Sequence, residues 1–105
     1  MKIGVITDGI SRDFEHALKV MDEFGLEYAE LQFVWDKEIG FLETAEVSRA
    51  KKLLKQYGKQ VSNICHHIFA GMRMTSKPGD ELHTHHMDRL KRCMEIAHEL
   101  GSPRV

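Results

Sequence analysis

The chain has 105 residues, 42% hydrophobic and 30% charged, with only two prolines and two cysteines. That length holds one domain at most, so residues 1–105 read as a single unit. A formal net charge of −1 offers no basic field to nucleic acid or an anionic membrane, and no apolar run approaches the ~18 residues of a membrane span.

Lys2-Ile-Gly-Val-Ile-Thr7 is a short β-branched run ended by Asp8-Gly9, and it reads as a first strand rather than a secretory leader. A cytoplasmic protein is therefore expected. Ser11 or Asp13 can cap the helix that follows, and Phe14, Ala17, Leu18, Met21 and Phe24 share one face of it. Gly25 closes that helix. A second strand is expected over residues 28–35, with Ala29, Leu31 and Phe33 on one side and Glu30 and Gln32 on the other. A loop holding Asp36, Lys37, Glu38 and Gly40 leads to Thr44, a second candidate cap. Val47, Ala50, Leu53, Leu54 and Tyr57 then mark the inner face of a helix closed by Gly58.

Residues 60–68 read as a third strand, followed by a longer loop from Ala70 to Pro78-Gly79. The third helix is expected to start near Asp80 or Thr84 and to turn Leu82, His86, Leu90, Cys93, Met94, Ala97 and Leu100 inward. Gly101 ends it, and Pro103-Arg-Val105 opens a fourth strand. Cys65 and Cys93 lack a CxxC spacing and read as buried free thiols.

Three helices thus run into a glycine and then into strand chemistry, the repeat of an α/β protein. Glu30, Gln32, Ser62 and Asn63 place polar groups within strands. A central strand of a doubly wound sheet is more often a continuous apolar run. Polar residues on one strand face suit the interior of a barrel near its mouth.

Lys2-Ile-Gly-Val5, Tyr28-Ala-Glu-Leu31 and the run from Leu90 through Glu99-Leu-Gly-Ser-Pro-Arg-Val105 resemble the sugar phosphate isomerase/epimerase group. These are the xylose isomerase-like TIM barrels, related to the endonuclease IV fold. The resemblance covers the whole chain. It implies an incomplete (β/α)8 barrel, made of the first three βα units and the start of strand four. It also implies an enzyme of sugar metabolism that isomerises or epimerises a ketose or polyol with a divalent metal (Mn, Mg, Co or Zn). The group's metal ligands lie on strands five to eight, so no metal ligand, no bound cofactor and no turnover are expected of these residues alone. Carried over by position, substrate contacts fall on Glu30 and the His66-His67 pair, with Thr7 and Trp35 as further pocket walls. The apolar pattern leaves open which of His66 and His67 faces inward.

His83-Thr-His-His86-Met-Asp88 lacks the HxHxDH and HExxH spacings and reads as a solvated helix start. Two other functions compete. Metal-dependent phosphoester cleavage on the endonuclease IV type of barrel would want a basic groove, which a near-neutral chain does not supply. A small non-enzymatic α/β module would have to cover its open sheet edges, for instance as a homo-oligomer.

Overall fold

Each helix of the chain ends in the same way, and that repeated ending sets the frame. In the computed structural model, which describes residues 1–105, Gly25, Gly58 and Gly101 take left-handed φ values of 67°, 64° and 70°. Around them the closing bonds recur. Leu26, Lys59 and Ser102 donate their N–H groups to the carbonyls of Met21, Leu54 and Ala97 at 2.8–2.9 Å. The glycines donate to Asp22, Lys55 and His98 at 3.1–3.2 Å. This Schellman closure satisfies the last carbonyls and redirects the chain, and only glycine takes that conformation without a Cβ penalty.

Between those stops lie β1 (Gly4–Ile6), α1 (Phe14–Glu23), β2 (Tyr28–Leu31), β3 (Phe33–Val34), β4 (Lys37–Glu38), α2 (Thr44–Gln56), β5 (Gln60–Ile64) and α3 (Glu81–Leu100). Short 3-10 turns occupy Thr7–Gly9 and Ile39–Phe41. Of the two caps open for α1, Asp13 serves: its Oδ1 accepts the His16 N–H at 3.2 Å. The cap of α2 is Glu43, one residue before Thr44, in a reciprocal box with Glu46. No helix is long and apolar enough to cross a membrane.

β1, β2 and β5 form a parallel sheet in that order. Its register slips between Ala29 and Glu30: Ala29 pairs with Val61, but Glu30 pairs with Asn63. The extra residue, Ser62, donates its hydroxyl to the Ala29 carbonyl at 3.2 Å. Such a bulge flips the inside–outside parity of the strand, so Val61 and Ile64, three apart, are both buried. Beyond the sheet, the N–H of Cys65 still reaches Leu31 at 2.9 Å, while the N–H of Ile64 points to the opposite edge and reaches the Arg104 carbonyl at 3.1 Å. The chain after α3 therefore comes back along the far edge of β5.

One core lies between the helices and a single face of the sheet. Phe14, Leu18 and Met21 of α1, Val47, Ala50, Leu53 and Leu54 of α2, and Ile96 and Ala97 of α3 pack on Ala29, Leu31, Val61 and Ile64. Fully burying an aliphatic side chain of this kind is worth about 1.5–3 kcal/mol, and these contacts hold the molecule together. Phe24, Leu82 and Met94, expected on inner faces, are instead mostly exposed (75%, 52% and 58%). Phe24 is the last residue before the αL glycine, where the helical phase is already lost. Leu82 lies in the first turn of α3, whose buried residues begin only at Cys93.

Two expected strands are shorter than their β-branched runs. The second ends at Leu31, because Trp35 takes a left-handed φ of 54° and folds Phe33–Val34 back on Lys37–Glu38 as an antiparallel hairpin. The third ends at Ile64, so Cys65, His66 and His67 follow it as irregular chain. Cys93 is a buried free thiol and Cys65 a half-buried one; burial pushes the Cys93 thiol up to about 11, where it is inert at neutral pH.

Candidate functional site

Parallel strands present all their C-terminal ends on one side, and α/β proteins of both barrel and open-sheet type do their chemistry there. At this rim the structure gathers Thr7 and Asp8 after β1, Gln32 and the β3–β4 hairpin after β2, and His66 and His67 after β5. Asp8 Oδ1 accepts the Phe33 N–H at 3.2 Å and ties the first loop to the hairpin. The Arg12 guanidinium lies over the Phe33 ring, 4.2 Å from its centre.

Glu38 is the hub. Its Oε1 accepts the backbone N–H of His67 at 2.8 Å and lies 2.5 Å from His67 Nδ1. Its Oε2 is 3.6 Å from His66 Nε2. Burial alone would raise this carboxyl. The hydrogen bonds from the His67 backbone and imidazole, with the charges of His66 and His67, outweigh that and hold it below its ordinary 4.5.

His66 has a buried ring, 3% exposed. Its Nδ1 accepts the Gly40 N–H at 3.2 Å, and the Phe41 ring lies 5.2 Å away. Burial pushes its pKa below 6.5; the Glu38 carboxylate opposes that shift, and Arg89, His67 and His86 add to it. At neutral pH the ring is uncharged.

Gly40 sits where three elements close on one another. A Cβ there would lie 2.8 Å from Cys93 Sγ and 2.9 Å from both Arg89 Cδ and His66 Cε1, so no side chain fits. Arg89 donates to the Gly40 carbonyl, and Arg92 to the Leu42 carbonyl at 3.0 Å. Two arginines of α3 thereby clamp the segment that carries Glu38.

The expected site residues fall in different places. Glu30 lies on the sheet face opposite the helices and lines a hollow of about 580 Å³ with Tyr28, Ser62, Lys2, Gln60 and Arg104. His66 and His67 meet at the rim, the first buried under the Ile39–Phe41 turn and the second 57% exposed. Trp35 packs edge-on against Phe14 of α1 (5.9 Å, 74°) and beneath Arg49 of α2 (4.7 Å). That position puts it among the helices, outside the set of residues lining the hollow. Thr7 is buried at the end of β1, and its Oγ1 has no hydrogen-bond partner.

Sequence reasoning missed Glu38, Gln32 and Arg89. Glu38 stood in what read as a loop, and the signal that could have found it is the hairpin: a Trp-Asp pair between two short extended runs. The histidine run of α3 makes packing contacts with Phe69. Phe69, at φ 61°, donates its N–H to His86 Nδ1 at 3.1 Å, and its ring lies 5.6 Å from those of His83 and His86.

No group of three or more His, Cys, Asp or Glu side chains is arranged to hold a metal ion. Glu38, His66 and His67 come nearest, but their facing atoms are already engaged with one another. No family model matches the chain, and no curated protein matches it.

Proposed function

We propose that these residues form the first wall of a sugar isomerase or epimerase barrel, with the polar sheet face as its interior and the rim as its working end. The observation that carries this reading is the hydrogen bond from Ile64 N–H to the Arg104 carbonyl. It puts the returning chain beside β5, so the order runs β1-β2-β5 and onward without reversal. A doubly wound sheet reverses its order and brings its fourth strand back beside the first or its neighbour. An unreversed order with every helix on one side is the path by which a sheet curls into a barrel.

The exposed apolar surface supports the same reading. Met94 of α3 and Val105 are exposed beside Leu90 and Pro103, at the edge where a further βα unit would pack. Ile6 of β1 and Ile3 just before it are exposed at the other edge. Glu30 would then face the pocket as a hydroxyl-binding carboxylate. The residues present do not form a metal site, so no step of the chemistry is assigned to a metal here.

A fusion tests the proposal. Residues 1–105 replace the first three βα units of a characterised xylose isomerase-like barrel, and turnover of ketoses is measured. The expected result is a folded, active enzyme in which Glu30→Gln lowers kcat/KM at least tenfold. A folded fusion indifferent to Glu30→Gln, or metal-dependent isomerisation of a ketose by the 105-residue chain alone, would overturn it.

A further inference from the structure

An ionised carboxylate only accepts hydrogen bonds. His67 Nδ1, 2.5 Å from Glu38 Oε1, must therefore carry the ring hydrogen. His66 is the reverse case: its Nδ1 accepts from the Gly40 N–H, so its hydrogen sits on Nε2, which faces the other oxygen of Glu38. Two adjacent histidines hold opposite tautomers and turn both N–H groups toward one carboxylate.

The consequence falls on His67 Nε2. That nitrogen holds its lone pair on a ring 57% exposed at the rim. In this tautomer it accepts a long hydrogen bond from the Gln32 side-chain amide, 3.4 Å between the nitrogens, which a substrate C–H must displace. A carboxylate on Nδ1 fixes the tautomer and the ring's orientation. Glu38 is itself held firmly, since Oε1 also takes the His67 backbone N–H and Arg89 and Arg92 clamp the segment that follows it.

We propose that His67 is a proton-transfer residue whose Nε2 takes a proton from the carbon beside a substrate carbonyl, with Glu38 as its positioning residue. The substrate class, an α-hydroxycarbonyl sugar, rests on the barrel reading above. In the step, a bond forms between Nε2 and the proton as the substrate C–H bond breaks. That electron pair becomes the C=C bond of an enediolate, and the carbonyl π pair moves onto its oxygen. The imidazolium then returns the proton to the neighbouring carbon, while one proton passes between the two oxygens through water. Atoms and charge balance without a further reactant. Glu38 stabilises the imidazolium during the step, as a general acid–base pair requires.

Two measurements on the chain test this. Long-range 1H–15N NMR on the neutral rings is expected to show the Nδ1–H tautomer at His67 and the Nε2–H tautomer at His66. Glu38→Ala should return His67 to the ordinary Nε2–H majority, and Glu38→Gln gives the same comparison with an acceptor still in place for the backbone. An Nε2–H tautomer at His67 in the wild-type chain, or a tautomer unmoved by Glu38→Ala, would overturn the positioning role. The second measurement follows deuterium uptake into dihydroxyacetone in D2O. The chain should exceed free imidazole at equal concentration several-fold, and His67→Asn should abolish that excess. Exchange no faster than imidazole would overturn the catalytic role even with the tautomers as drawn. Neither readout needs a complete barrel. Their failure would leave the sheet order untouched, and a failed fusion would leave them standing.

Discussion

The two faces of the three-stranded sheet are built from alternate residues of the same strands, yet they have opposite characters. Ala29, Leu31, Val61 and Ile64 face the helices and are buried. Tyr28, Glu30 and Ser62 line an open hollow on the other side. Packing density explains the first face and nothing explains the second as packing, since no helix covers it. The rim joins the two: Glu38 and His66 are held on the packed side, and of the three only His67 opens toward solvent.

Substitutions on the packed face should have the largest effect. Leu31→Ala removes a fully buried side chain from the centre of the core and should cost about 2–5 kcal/mol in denaturant unfolding. A loss below 1 kcal/mol would mean that the helices do not depend on this face. Gly40→Ala comes next, because its Cβ meets Cys93, Arg89 and His66 at under 3.0 Å. A cost of about 1–3 kcal/mol is expected, together with displaced His66 resonances; an unchanged melting curve would show that the Ile39–Phe41 turn is not clamped. Asp13→Ala should cost about 1 kcal/mol through the lost α1 cap.

The effect of pH is smaller and its sign is fixed. His66 has a folded pKa below its ordinary 6.5, so as pH falls below 6.5 the unfolded chain takes up a proton first and stability declines. Glu38, also lowered, contributes stability above 4.5 that is lost as pH falls below that value. His66→Asn, which keeps an acceptor for Gly40 without titrating, should flatten the stability profile just below pH 6.5 and leave the acid limb in place. A profile identical to wild type would remove His66 from the account.

Much of the packed face was legible in the sequence, and for a local reason. Phe14, Ala17, Leu18 and Met21 follow the helical period, and the three glycines announce Schellman stops whose bonds are all within a few residues. What was not legible depends on contacts between distant segments. The bulge at Ser62 breaks the alternation of β5, so no count along residues 60–68 could decide between His66 and His67. In fact both lie beyond the strand, and Glu38 decides their orientation from across the hairpin. The resemblance puts Trp35 on a pocket wall, a placement that a single strand over residues 28–35 would allow. The left-handed φ of Trp35 ends that strand and carries the indole to Phe14 and Arg49.

The central claim is that one sheet face carries the stability and the other is free of that duty. It is tested most directly by the unfolding free energy of the double variant Glu30→Ala, Asn63→Ala, whose two positions pair across β2 and β5. Each change should lie within about 0.5 kcal/mol of neutral, as for substitutions away from packed contacts. A loss near that expected for Leu31→Ala would show that the polar face is structural, and would contradict the account.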